Sequence, residues 1–118
     1  MSYAVDVLKT VKTEDIPALP KEVQRAAAQL LVELHTDPRI GEPMRERYNL
    51  NNIKDCRKVS FDEEEHEGKP RYRFVFRNEP DDGAVARTTV LSIGPREGLS
   101  AYRQAATRRG RQNRGEDV

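Results

Sequence analysis

The sequence predicts a single α+β domain, and three observations carry that prediction. An amphipathic helix is written between Lys21 and His35, and three runs with period-two alternation follow between Cys56 and Ile93. A second, shorter helical stretch lies near the end. With a partly alternating run at the N-terminus, the order is strand, helix, three strands, helix. A chain of 118 residues suits one compact unit.

The elements can be justified in order. Tyr3, Val5 and Val7 share one side of an alternation that predicts a first strand from Tyr3 to Lys12. Ile16-Pro17 and Leu19-Pro20 break it, because a proline biases its predecessor away from helix. From Lys21 on, Val23, Ala26, Ala27, Leu30, Leu31 and Leu34 form an apolar stripe at three- and four-residue spacing, with Glu22, Arg25, Gln29 and Glu33 mainly opposite. Thr36-Asp37-Pro38 ends this helix, and His35 falls where the helix dipole favours a cation. Residues 39–54 read as polar and irregular. Cys56 to Asp62, Arg71 to Asn78 and Ala86 to Ile93 then read as strands of a sheet with one packed and one open face. Asp62 to Pro70 and Glu79 to Gly83 supply the turns. A final helix is expected from Ser100, as N-cap, to Arg109. Residues 110–118 are polar and glycine-containing and predict a frayed tail beyond a domain of residues 1–109.

Composition narrows the classes of function. There is no long apolar run, so the sequence predicts neither a membrane span nor a secretory signal. A single cysteine, Cys56, excludes an internal disulfide, fits a cytoplasmic setting and reads as a packing residue. Net charge is only +1, but it is unevenly spread. Residues 1–68 carry 10 Lys/Arg against 14 Asp/Glu, whereas residues 69–115 carry 11 against 4. A basic second half is the footprint of a phosphate-binding surface. On the open face of the three-strand meander the alternation places Lys58, Arg71, Arg73 and Arg77, with Arg96 and Tyr102 close behind. Cations gathered in this way call for an anion or a partner; solvated, snorkelling side chains are the bland alternative.

Four segments in order carry a resemblance: Asp55-Cys56-Arg57-Lys58-Val59-Ser60-Phe61, then Tyr72-Arg73-Phe74-Val75-Phe76, then Leu91-Ser92-Ile93-Gly94-Pro95-Arg96-Glu97, then Tyr102. With the preceding helix and Asp37-Pro38-Arg39-Ile40, they resemble the RelE branch of the RelE/ParE toxin superfamily over about residues 20–109. The resemblance implies a RelE-like fold: a curved, mainly antiparallel four-stranded sheet, N-terminal helix or helices on one face, and a C-terminal helix. It implies a cytoplasmic toxin of a type II toxin–antitoxin system, held by a cognate antitoxin. Such toxins cleave mRNA in the ribosomal A site by attack of a ribose 2′-hydroxyl on the neighbouring phosphate, with no metal or other cofactor.

By position, Arg73 matches the family's phosphate-stabilising arginine, Lys58 its first strand lysine and Arg96 the arginine near the leaving oxygen. Tyr102 matches the aromatic that stacks on or orients a base. Arginine suits a bidentate phosphate clamp, and its permanent charge favours electrostatic help over proton donation. Lys54, Arg71, Arg77 and Arg103 are expected as further RNA contacts. Arg108, Arg109, Arg111 and Arg114 are either accessory contacts or a solvated helix end.

One position departs from the pattern. The family often places a second lysine, assigned as general base, where this chain has Ser60. A serine hydroxyl is no base at neutral pH, and a lysine serves only when neighbouring cations and burial lower its pKa. The base is therefore open, with Lys58 and Lys54 as candidates. His66, in the acidic loop Asp62 to Glu67, reads as a solvated turn residue and the acids around it as hydrated. Two other functions compete: a ParE-like, non-enzymatic inhibitor of DNA gyrase, and a toxin-derived binding module that no longer cleaves.

Overall fold

A computed structural model of the chain describes residues 3–45, 50–81 and 83–118. A five-stranded sheet in the order β1-β5-β4-β3-β2 forms its centre. The strands are β1 (Ala4–Val7), β2 (Glu42–Pro43), β3 (Cys56–Phe61), β4 (Tyr72–Glu79) and β5 (Arg87–Pro95). The β2-β3-β4-β5 run is antiparallel, and β1 adds in parallel along β5. The helices are α1 (Ile16–Ala18), α2 (Lys21–Leu34) and α3 (Ser100–Asn113).

The sheet has one strand more than the sequence suggests, because Glu42 and Pro43 pair with Lys58 and Arg57 inside the stretch expected to be irregular. Gly41 makes that pairing possible. Its φ is +76°, and a Cβ there would collide with the Lys58 carbonyl and lie 2.8 Å from Val59 Cγ2. Gly41→Ala is therefore expected to cost more than about 1 kcal/mol and to loosen β2 from the strand that carries Lys58. Gly94→Ala is the control, since its new Cβ would meet only Ala101 Cβ, at 3.9 Å. Thermal denaturation of the two variants checks the contrast. Residues 46–49 of the expected irregular stretch, and Asp82 of the Glu79 to Gly83 turn, lie outside the described residues.

The first strand is shorter than its alternation promised. It ends at Val7, and the chain winds into a π-helical turn over Val11–Asp15 that leads directly into α1. Leu8, Val11 and Asp15 fall at helical rather than strand spacing, and Leu8 and Val11 are buried. Neither proline acts as a simple break: Pro17 sits in the first turn of α1 and Pro20 at the N-cap of α2. Val23, Ala27 and Leu34 of the expected stripe are buried, whereas Ala26, Leu30 and Leu31 are only partly covered. Ala26 and Leu30 line an open groove of about 510 Å³ with Phe61, Asp62 and Glu64. His35 is the C-cap of α2, but its contact is specific: Nδ1 lies 3.2 Å from the Tyr3 carbonyl, and the two residues' backbones are also hydrogen-bonded.

Directly opposed residues on neighbouring strands share a face of the sheet. Val59, Phe74 and Ile93 are opposed in this way on one face; Ser60, Arg73 and Gly94 are opposed on the other. A bulge places both Val90 and Leu91 against Phe76 and lets β5 follow the curvature of the sheet. The second face is not open. Helix α3 lies over it, burying Ala101, Tyr102, Ala105 and Ala106. Small residues allow that approach, which is why β5 is buried on both faces from Thr88 to Gly94. Helix α3 begins after Leu99 in the left-handed conformation, so Ser100 is its first residue and not a side-chain cap. It runs four residues beyond Arg109.

The tail expected to be frayed is docked. Val118 is buried, its carbonyl accepts hydrogen bonds from the Thr10 N–H and hydroxyl, and Lys9 pairs with Asp117. One apolar residue and one carbonyl are enough to order a polar segment that has a surface to meet.

Candidate functional site

The face beneath α3 sorts its cations into two groups by what neutralises them. Arg71 lies at the start of β4 and gives Nε and Nη2 to the two oxygens of Asp62, each at 2.9 Å, with Glu63 at 3.5 Å. Arg77 pairs with Glu79 at 2.9 Å and Asp55 at 3.4 Å. Arg109 also takes Asp55, at 3.2 Å, while Arg111 and Arg114 share Glu116. These charges are spent within the protein. Arg71 and Arg77, expected as RNA contacts, are thus held by carboxylates in this structure.

Arg73 is held differently. Its Nε donates to the Tyr102 hydroxyl at 3.0 Å, and Nη1 donates to the Pro70 and Tyr72 carbonyls at 2.9 Å each. All three acceptors are neutral, so the guanidinium is fixed in place without being neutralised. Such an arrangement can receive an anion without reorganising, because geometry is set beforehand and the charge remains available. Lys58 lies two residues before Ser60, the partner of Arg73 across the ladder, and so on the same face. Its Nζ sits 5.6 Å from the centroid of the Tyr102 ring. Arg96 is exposed just past β5, where its backbone N–H continues the ladder to the Arg71 carbonyl. Arg103 is exposed on α3. Among the described residues, none of Lys58, Arg73, Arg96 and Arg103 forms an ion pair with a carboxylate. Lys54 is exposed, and its carbonyl accepts the Arg45 N–H.

Tyr102 occupies a place its sequence position did not foretell. It is 1% exposed, roofed by its own helix, and offers no ring face to a base in this conformation. Its contacts are those of a residue that positions Arg73 and Lys58. Tyr102→Phe keeps the ring and removes the acceptor, and is expected to cost roughly 1 kcal/mol, read as a lower Tm, while releasing the Arg73 side chain.

Arg108, expected either as an accessory contact or in a solvated helix end, is instead buried at 3% exposure. It forms a bidentate pair with Asp15, at 2.6 and 2.8 Å, and donates to the Leu91 carbonyl. Asp15 Oδ2 also accepts the Ile93 N–H. This network ties the N-terminal helical turn to β5 and α3. The residue type alone, on a helix rich in arginine, gave no signal of it.

Cys56 is buried, and burial with the neighbouring Asp55 carboxylate pushes its thiol up to about 12. A thiol so placed stays protonated and packs, as its sequence context suggested.

Asp62, Glu63 and His66 offer ligand atoms within 4.8 Å of one another. Both Asp62 oxygens already accept bonds from Arg71, so the trio is organised around a guanidinium, and a metal ion would have to displace it. Arg71 holds the Asp62 carboxyl well below the ordinary range for an aspartate. A lowered carboxyl pKa means stability that is present above the unfolded value, about pH 4, and is lost as pH falls through the folded value. The stability gap between the wild type and Asp62→Asn is therefore expected to shrink between pH 7 and pH 2. A gap independent of pH in urea unfolding would contradict this.

The fold and this site define the chain as an α+β protein with a RelE-like fold. A solved structure of the Escherichia coli toxin RelE, an arginine-to-alanine double mutant in the free state, is similar to it with a TM-score of 0.61. The likeness covers 92% of this chain and 98% of that one at 26% identity, and it supports a toxin of the RelE family. No family model and no curated protein matches the sequence. No helix among the described residues is long and apolar enough to cross a membrane.

Proposed function

We propose that the chain is the toxin of a type II toxin–antitoxin pair and cleaves mRNA in the ribosomal A site of the cytoplasm. The observation that carries this reading is Arg73, fixed by three neutral acceptors and left fully charged beside Lys58. A phosphate entering there meets the two N–H groups that remain, both on Nη2, on a guanidinium already held in place. In the transition state, negative charge grows on the phosphate oxygens, and a charged group that need not reorganise lowers the barrier most. Lys58 adds charge on the same face, and Arg96, by its position in the chain, is assigned to the leaving 5′-oxygen. Tyr102 holds the two cations in register, and its stacking on a base would require α3 to lift.

Inducible expression with mapping of mRNA 5′ ends tests the proposal: cuts phased with codons on translating ribosomes are the expected result. Ribosome binding is also expected to weaken steeply with salt, because each neutralised phosphate releases counterions. A second reading, a binding module without cleavage, draws support from Ser60 and from the burial of Tyr102. Intact mRNA in the same experiment, with gyrase supercoiling blocked, would favour a ParE-like inhibitor.

A further inference from the structure

We infer that His66, poised by Asp62, is the general base for this site in place of the absent strand lysine. The inference rests on the cleavage reading above and deepens it. Ser60 is exposed and directly opposite Arg73, so the position to which the resemblance assigns a base carries a hydroxyl. The ammonium of Lys58 is engaged over the Tyr102 ring. The β3–β4 loop supplies another group. His66 Nε2 lies 3.2 Å from the Lys69 carbonyl and 3.4 Å from Asp62 Oδ2. The imidazole is half-buried and held in orientation by an acid that Arg71 keeps ionised.

Two adjacent carbonyls of the loop tie this imidazole to the phosphate site. Arg73 Nη1 bonds the Pro70 carbonyl, and His66 bonds the carbonyl of the residue before it. Neighbouring carbonyl oxygens are at most roughly 5 Å apart, so imidazole and guanidinium lie within roughly 11 Å of each other. A ribose 2′-oxygen and its adjacent phosphate, each with one hydrogen-bond partner, span a distance of that order. The charged groups that face His66 are Asp62, Glu63 and Arg71, with Glu64, Glu65 and Glu67 on its own loop.

In the step so assigned, a neutral imidazole nitrogen takes the proton of the 2′-hydroxyl. The freed oxygen pair forms the bond to phosphorus, and the phosphorus–5′-oxygen bond breaks. The leaving oxygen takes a proton from water and His66 returns its own to solvent, giving a 2′,3′-cyclic phosphate and a 5′-hydroxyl. Arg73 stabilises the charge on phosphorus throughout.

The test is single-turnover cleavage of a defined mRNA on programmed ribosomes by the full chain and its His66→Gln, His66→Ala and Arg73→Ala variants. His66→Gln is expected to slow cleavage by about 10²-fold or more, and to change the pH profile of the rate. Added imidazole is expected to restore rate to His66→Ala, a result that a merely structural histidine would not give. If His66→Gln cleaves at the wild-type rate with the wild-type pH profile while Arg73→Ala does not cleave, the base assignment is overturned and the nuclease reading stands. If the wild-type chain cuts nothing, both are overturned.

Discussion

Arg73→Ala is expected to lower mRNA cleavage by about 10²–10³-fold, the usual effect of removing one preorganised donor from a developing oxyanion. The size of the effect follows from how the side chain is held. Three neutral acceptors fix Nε and Nη1 and leave the Nη2 N–H groups for phosphate, so the guanidinium need not reorganise when phosphate arrives, and among the described residues no carboxylate must first be displaced. Arg73→Lys keeps the charge but not the fork. One ammonium cannot satisfy the Tyr102 hydroxyl and the Pro70 carbonyl while also clamping phosphate, so most of the loss should remain. Arg71→Ala provides the comparison. Its charge is already spent on Asp62, so its removal should leave the phosphate contact intact and lower cleavage only as far as the loosened β3–β4 loop misplaces His66, by less than the loss at Arg73. Equal losses at the two positions in single-turnover assays would remove the distinction between compensated and uncompensated cations.

Arg108→Ala is expected to be the largest single change in stability. Truncation leaves the shielded Asp15 carboxylate without its cation, a situation that costs about 3–5 kcal/mol. For a domain of this size that corresponds to a fall in Tm of roughly 10–20 °C. Removing both charges together should recover only part of the loss, because Asp15 also accepts the Ile93 N–H and Arg108 also serves the Leu91 carbonyl. Since the pair anchors α3, the helix that roofs Tyr102 and Arg73, activity should fall with stability. A destabilisation below about 1 kcal/mol in thermal or urea unfolding would mean the pair behaves as an exposed one.

The order of the main elements was legible because their periodicities are long. The α2 stripe repeats over four turns, and Phe74 and Phe76 alternate with arginines through β4. What could not be read was what covers a face. The β4 pattern, arginine outward and aromatic inward, is the pattern of a half-open sheet. The helix that closes it packs through alanines, which carry little hydropathy signal, and through Arg108, which carries the opposite one. Strand β2 was hidden for a related reason: two residues and a glycine of positive φ make a ladder but no alternation.

The candidate site divides in the same way. Lys58, Arg73 and Arg96 were placed by position in the chain, and among the described residues none of them pairs with a carboxylate. Arg71 and Arg77 looked equivalent to them in sequence, and only the three-dimensional positions of Asp62, Asp55 and Glu79 set them apart. Tyr102 was singled out as an aromatic for a base, and the structure buries it between α3 and the sheet and not beside an open groove. His66 was read as a solvated turn residue because its partners, the Asp62 carboxylate and the Lys69 carbonyl, meet it only when the loop folds back over the end of β3.

The most direct measurement is cleavage of a defined mRNA by the purified chain on ribosomes with an open A site, compared with its Arg96→Ala variant. The account predicts a cut at the A-site codon that leaves a 2′,3′-cyclic phosphate and a 5′-hydroxyl, strongly reduced in the variant. Intact mRNA in the presence of the wild-type protein, bound to the ribosome or not, would contradict it.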